Sequence, residues 1–439
     1  MVPLPAQSPS PICAPATPPF PSAVALVRLS GPGLAGLLEP LVSLPAPRMA
    51  SLRTLAWDGF RERALVLFFP APASYTGEDV VEFQVHGNPL LVRRLLAHLG
   101  SLGIRLAEPG EFTRRALLNG KQGLLAVEAL RDLMVAETDA QIRLAQARAG
   151  ALPPWIAGAR QALTPWMARA EAAVDYGEDD GITLNVKDLI VDLAPLLSLF
   201  HVEQGRTRAA HRLRDGIRLA LVGRPNAGKS TLFNALAGED RAIVTEVPGT
   251  TRDVLEVRCE WRGLPLRLYD TAGLRATEDP VERLGVARVA GVLESADLVV
   301  HLVPVGSAAP EVALEQALEP FQGKVVVVHS FGDLGPGDGP TISAVTGDLD
   351  ALETTLRGRL LGGYSPDACL GALATDRQIE LLDELVRQVE LLLGLAEGCP
   401  PELPASLLQG AWGLLARLTG EDRADSALDE VFKGFCLGK

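Results

Sequence analysis

Apolar and polar positions alternate over Ala23–Leu29 (AVALVRL), Ala64–Phe69 (ALVLFF) and Val80–Gly87 (VVEFQVHG), the period of half-buried strands. The helical patterns LLVRRLLAHLG and EFTRRALLNG are interleaved with them, so the first stretch reads as a compact α+β domain. Residues 1–22 read as an irregular, proline-studded lead-in. From Leu124 the pattern turns long, Ala/Leu/Glu-rich and 3.6-periodic, with no strand signal until Ile217. Strands then alternate with helices (IRLALV, VLEVRCEW, LPLRLYD, DLVVHLV, KVVVVHS), the reading of a mostly parallel sheet wrapped by helices. Helical periodicity returns after Thr375 (RQIELLDELVRQVELLLGLA). The fold class is therefore multidomain: an α+β N-terminal domain over residues 1–122, an all-α domain split over 123–214 and 374–439, and an α/β domain at 215–373 inserted into it.

The chain has 439 residues, enough for about three domains of ordinary size. With 47% apolar and 22% charged residues it has the composition of a folded protein, and no apolar run approaches the ~18 residues of a membrane span. The first charge is Arg28, so the basic start of an export signal is not read, and a cytoplasmic protein is expected. Five scattered cysteines form no metal-spaced pairs. A net charge of -13 argues against non-specific nucleic-acid binding. Arg206, Arg208, His211, Arg212, Arg214 and Arg218 crowd one segment with two readings, a local basic patch or a solvated connector, of which the connector is favoured.

The most specific chemistry lies between Gly223 and Ser230 (GRPNAGKS), after the strand IRLALV and before the helix TLFNALAG. Glycines there let backbone N–H groups approach phosphate oxygens, and the helix N-terminus adds its positive end. Within the set Asn226, Ala227, Gly228, Lys229, Ser230 and Thr231, Lys229 reaches toward the β- and γ-phosphates and the Ser230 hydroxyl suits Mg²⁺. Asp270-Thr271-Ala272-Gly273 ends the strand LPLRLYD, where an acid serves a magnesium-bound water and Gly273 offers a backbone N–H to the γ-phosphate. Between the two, the loop Thr245, Glu246, Val247, Pro248, Gly249, Thr250, Thr251 supplies polar groups, and Thr251 is the hydroxyl expected to close on Mg²⁺. The pattern predicts a GTPase.

Guanine readers usually carry Asn-Lys-x-Asp after the strand that here is KVVVVHS; this chain has Ser330-Phe331-Gly332-Asp333. Asp333 keeps the carboxylate that pairs with guanine's N–H groups, Ser330 lacks the usual amide, and Phe331 offers a ring to stack on the base. Ile342-Ser343-Ala344 fits the loop whose backbone N–H meets the guanine carbonyl. The residue after the DTAG motif is Leu274, which cannot orient an attacking water. Glu282 has two readings, a water-orienting carboxylate or a helix N-terminal acid facing the macrodipole. The Asn226 amide oxygen, with carbonyls of the Thr245–Thr250 loop, can hold a monovalent cation.

Stretches along the whole chain resemble one family, the tRNA-modification GTPase MnmE (TrmE) of bacteria and organelles. They are APATPP, VRLSG, SYTGEDVVE, PGEFTRRALLNGK (Pro109–Lys121), GRPNAGKS, GTTRDV, DTAGLR, VERLG and the terminal FCLGK. The resemblance implies a folate-binding, dimer-forming N-terminal domain, a helical domain and an inserted G domain. It implies potassium held by Asn226, Thr245, Val247 and Thr250, and Glu282 as the residue that orients water. It puts 5-formyl- or methylene-tetrahydrofolate on Arg28, Glu82, Lys121 and Lys439. It also implies tRNA as substrate and a homodimer that joins an MnmG-like flavoprotein in a heterotetramer, with FAD and NADH belonging to that partner. Cys436 is either catalytic or a structural thiol. The chain departs from the family pattern at Phe20 and Ala23, which stand where glycines are usual, at His86-Gly87-Asn88 in place of HGG, and in the base loop. A GTP-dependent ribosome-assembly switch shares GRPNxGKS and DTAG but lacks the folate cations and the terminal CxGK.

Overall fold

In the computed structural model the described residues are 10–150, 152–176, 184–238, 256–270, 291–307 and 312–421, with Phe432 and Gly438. The chain divides into two units, Met1–Arg131 with Thr419–Lys439, and Asp132–Leu418.

The first unit is built on a six-stranded sheet. Its strands are β1 (Ile12–Pro15), β2 (Ser22–Ser30), β3 (Ser51–Trp57), β4 (Phe60–Phe69), β5 (Val80–Gly87) and β6 (Arg105–Leu106), in the order β3-β4-β5-β2-β1-β6. Three strands were not read from the pattern. β1 lies inside the proline-rich lead-in, where it pairs antiparallel with β2, and Ile12, Cys13 and Ala14 are fully buried. Tertiary pairing supplied the structure that local propensity withheld. One face buries Val27, Leu29, Leu55, Val66, Val81 and Phe83 against Leu95 and Leu99 of helix α2 (Pro89–Ser101). The Asn88 side chain caps that helix, accepting from the N–H groups of Leu90 and Leu91, with Pro89 in the first turn. The departure from HGG thus creates a helix cap. Helices α1 (Leu34–Leu38), α3 (Glu111–Leu118) and α4 (Leu124–Val135) follow the same chain order.

The second unit holds the long helices and a five-stranded sheet. Helices α5 (Asp139–Ala149), α6 (Pro154–Tyr176) and α7 (Val186–Asp215) precede β7 (Ile217–Gly223), α8 (Lys229–Ala237), β8 (Glu256–Trp261), β9 (Leu264–Asp270), β10 (Leu298–Pro304) and β11 (Val325–Ser330). The sheet order is β11-β10-β7-β9-β8, parallel except for β8, as the pattern predicted. After it come α9 (Val312–Leu318), α10 (Asp350–Leu361), α11 (Asp376–Leu393) and α12 (Glu402–Thr419). A capping box of Thr375 and Gln378 starts α11, which buries Leu381, Leu382, Leu385, Val386, Val389 and Leu392 along one stripe.

The arginine-rich segment is not a solvated connector. Its first five basic residues lie in the last turns of α7 and Arg218 lies on β7, and their side chains bond into the unit. Arg206 donates to Glu203 (2.7 Å) and the Ala368 carbonyl (2.9 Å), and Arg208 to Asp383 (3.0 Å). His211 donates to the Ala374 carbonyl (3.1 Å), Arg212 to the Leu360 carbonyl, and Arg214 to Asp132 (2.7 Å). Among the described residues no helix is long and apolar enough to cross a membrane.

Candidate functional site

Parallel strands bring their carboxyl ends to one edge, which is where open α/β sheets bind ligands. Leu221 of β7 pairs with Asp270 of β9, Gly223 with Leu302 of β10, and Pro304 of β10 with Ser330 of β11. The loop after β7, the end of β9 and the loop after β11 therefore share one edge. Backbone conformation builds the loop: φ is +152° at Gly223, +63° at Asn226 and +89° at Gly228. Gly228 caps α8 without any side-chain bond to the helix N–H groups, so the first turn presents donors and the positive end of the dipole. The Lys229 ammonium lies across the loop, donating to the carbonyls of Gly223 (2.8 Å) and Arg224 (2.6 Å). Ser230 and Thr231 are exposed on the same turn.

A Cβ built on Gly223 would stand 2.6 Å from the Leu302 carbonyl oxygen. Gly223→Ala is therefore expected to destabilise the protein by ~2–4 kcal/mol, from overpacking against backbone in a conformation that side chains rarely adopt. Urea unfolding monitored by circular dichroism measures it, and a midpoint equal to wild type would contradict the close packing.

Beside the loop, Thr231, Leu302, Phe331, Asp333, Ala344 and Val345 line a cleft with Gly228. Phe331 adopts a left-handed conformation (φ 63°, ψ 42°) that turns its ring toward Gly228, 3.7 Å from where a Cβ would stand. The buried Ser330 hydroxyl donates to the Ala227 carbonyl at 2.8 Å. Without the usual amide, the serine still clamps the end of β11 to the phosphate loop, a role sequence reading missed because it compared side chains at the base alone. The Ser343 hydroxyl donates to Asp333 Oδ1 at 2.8 Å, aiming the carboxylate. The Ser343 backbone N–H donates to the Asp348 carbonyl at 2.9 Å.

The first unit gathers a second set. Arg28 and Glu82 are direct partners across β2 and β5, with Arg28 Nε donating to Glu82 Oε1 at 2.8 Å. Arg28 Nη1 donates to the Gly438 carbonyl at 3.5 Å, and its guanidinium lies 5.6 Å from the Tyr75 ring centroid. Gly438 sits so tightly on the chain that a Cβ would stand 2.4 Å from the Pro15 carbonyl oxygen. The Ser74–Asp79 loop is tied down by Thr76 and Glu78, each 2.7 Å from the Ser30 hydroxyl, by Arg115 donating to Glu78 (3.0 Å), and by Asn119 donating to the Thr76 carbonyl (2.7 Å). Lys121 runs its stem along Gly77 of that loop, with Cε 3.3 Å from a built Cβ. Arg28 and Lys121 thus both lie against one loop, and Arg28 also holds Glu82 and the Gly438 carbonyl.

The family model described as GTP-binding protein TrmE N-terminus matches residues 11–121, and that of the MnmE helical domain matches residues 124–436. The tRNA modification GTPase MnmE of Acidiphilium cryptum is 41% identical over 430 residues, covering 95% of this chain and 96% of that protein. The protein of the same name from Azoarcus sp. is 40% identical, covering 99% of both chains. The chain belongs to the MnmE family of tRNA modification GTPases.

For this MnmE-family chain, Thr245, Glu246, Val247, Pro248, Gly249, Thr250, Thr251, Thr271, Ala272, Gly273, Glu282, Cys436 and Lys439 lie outside the described residues. Three of the remaining cysteines are poor nucleophiles. Burial pushes the thiol of Cys13 up to about 12 and those of Cys259 and Cys369 up to about 11.

Proposed function

We propose that this chain is a potassium-activated GTPase acting in aminomethyl or carboxymethylaminomethyl modification of the tRNA wobble uridine at C5. A tetrahydrofolate supplies the one-carbon unit and an MnmG-like, FAD-dependent protein is the partner. GTP hydrolysis in tRNA modification is the family's activity. The observation that carries the finer reading is that Arg28 holds both Glu82 and the Gly438 carbonyl while it and Lys121 lie against the Ser74–Asp79 loop. A ribosome-assembly switch has no use for that cluster.

The residues suit their ligands. Uncapped N–H groups at the start of α8 and the Lys229 ammonium take phosphate oxygens, and Asp333, aimed by Ser343, takes the guanine N–H groups against the Phe331 ring. Ser230 and Thr251, with Asp270 through water, offer the hard oxygens Mg²⁺ prefers. Asn226, with its turned backbone, and carbonyls of Thr245, Val247 and Thr250 offer the same to K⁺. Bound there, the cations neutralise charge developing on the phosphoryl oxygens. Glu282 orients the attacking water. Arg28, Lys121 and Lys439 pair with folate carboxylates, and Glu82, steadied by Arg28, accepts from pterin amines. Ala344 and Val345, which line the base cleft, supply the loop's donors. The chain works as a cytoplasmic homodimer with folate-binding (1–122), helical (123–214 and 374–439) and G (215–373) domains, and the homodimer enters a heterotetramer.

Calorimetry with 5-formyltetrahydrofolate tests the folate reading. Wild type should bind saturably and Arg28→Ala at least ~10-fold more weakly, the loss of one charge-assisted contact. Absence of binding to wild type would favour the assembly switch. Glu282→Ala should lower kcat by ~100-fold or more while GTP affinity stays within ~3-fold, because the residue orients water and holds no phosphate. A large loss of GTP affinity would remove that assignment.

A further inference from the structure

Strand register sets three arginines side by side. Arg218 on β7 pairs with Arg267 on β9, and Arg267 pairs in turn with Arg258 on β8. Directly opposed like charges weaken a sheet, and here two such pairs run consecutively across three strands. Neighbouring strands lie ~4.8 Å apart, so the three side chains leave the sheet within about 10 Å of one another. The row forms part of the wall of a pocket of about 850 Å³, solvent at its mouth included, which Arg148 and Arg214 also line.

Local carboxylates do not pair with the whole row, although Asp297 Oδ2 accepts from the Arg218 backbone N–H at 2.8 Å. The lining holds five arginines against three carboxylates, Asp132, Glu137 and Asp215. Asp132 is spent on Arg148 (2.5 Å) and Arg214 (2.7 Å), and Asp215 on Arg214 (3.0 Å). Glu137 pairs with Arg258, which also holds Glu256 (2.8 Å). Among the described residues neither Arg218 nor Arg267 forms an ion pair. The Arg218 side chain donates to the Ser295 carbonyl at 3.4 Å, and the Arg267 stem and Nε rest against Gly216, where a Cβ would stand 3.2 Å from Nε. Gly216 ends α7 at φ +78° and leaves room for that guanidinium. A concave, arginine-rich pocket in a chain of net charge -13 is a local inversion of sign. Planar guanidinium forks match phosphate oxygens.

We propose that the pocket between the Arg218–Arg267–Arg258 row and the Asp132–Arg148–Arg214 cluster binds a phosphate group, a site separate from the nucleotide edge of the same sheet. The phosphate belongs either to a free phosphorylated small molecule or to an RNA backbone, and one experiment separates them. Full-length protein saturated with GDP, so that the phosphate loop is filled, is titrated with inorganic pyrophosphate by calorimetry. Wild type should bind, and the double variant Arg218→Gln, Arg267→Gln should bind at least ~10-fold more weakly. Thermal unfolding without pyrophosphate should be no lower for the double variant than for wild type, because repulsion is relieved. If the glutamine variant is unstable, Arg218→Lys with Arg267→Lys decides, since retained charge should keep intermediate affinity. Competition by tRNA, with a salt dependence of tRNA binding shallower by about two in the glutamine variant, identifies an RNA backbone. Pyrophosphate binding without such competition identifies a small ligand. No pyrophosphate binding to GDP-saturated wild type, or equal affinity in wild type and the double variant, overturns the proposal.

Discussion

Asp333→Asn is expected to exchange the preference for guanosine triphosphate with one for xanthosine triphosphate. A carboxylate accepts twice, matching guanine's ring N–H and exocyclic amine, whereas an amide gives one donor and one acceptor. Xanthine carries a carbonyl where guanine has the amine, so the amide suits it. The Ser343 hydroxyl, 2.8 Å from Asp333 Oδ1, can donate to the amide oxygen as it does to the carboxylate, and the loop keeps its shape. Loss of two charge-assisted bonds and an unmatched buried amine should weaken GTP by ~100-fold or more. Competition against a fluorescent guanine nucleotide measures the change, and unaltered GTP affinity would remove Asp333 from the base site.

The second large effect belongs to Lys229→Ala. The ammonium is already ordered across the loop by the Gly223 and Arg224 carbonyls, so little reorganisation is needed to meet phosphate. Its removal takes away a preorganised charge where negative charge develops and leaves two carbonyls without that donor. kcat/KM for GTP should fall by ~1,000-fold or more. Lys229→Arg should not restore it, because the forked guanidinium cannot occupy the space of a compact ammonium. Thermal unfolding should shift little, since the side chain carries no core packing. Activity within tenfold of wild type would show that the loop does not hold the triphosphate.

What the sequence made legible divides along a physical line. The phosphate loop and the parallel sheet were readable because both are local: a glycine pattern sets backbone angles, and apolar runs with the right flanks set strands. Strands β1 and β6 were missed because short or proline-flanked segments carry little local signal and partners from elsewhere in the chain decide them, whereas β3 (SLRTLAW) was missed because its mix of polar and apolar residues gives no clear alternation. The Arg28–Glu82 contact joins residues 54 apart and the Arg28–Gly438 contact residues 410 apart, so only the family resemblance hinted that these positions meet. The arginine row was invisible for the same reason, since it exists only once β7, β9 and β8 are in register. Ser330, which the sequence presents as the loss of an amide, is a buried hydroxyl with a partner on the phosphate loop.

The proposed activity requires a guanine nucleotide held at the carboxyl edge of the five-stranded sheet and cut with help from a monovalent cation. Initial rates of GTP hydrolysis, measured in potassium and in sodium with ATP in large excess, test it most directly. Turnover that rises in potassium, stays low in sodium and is unmoved by ATP is the predicted result. Inhibition by the excess ATP to the extent that equal affinity for the two nucleotides would give, or equal rates in the two salts, would contradict it.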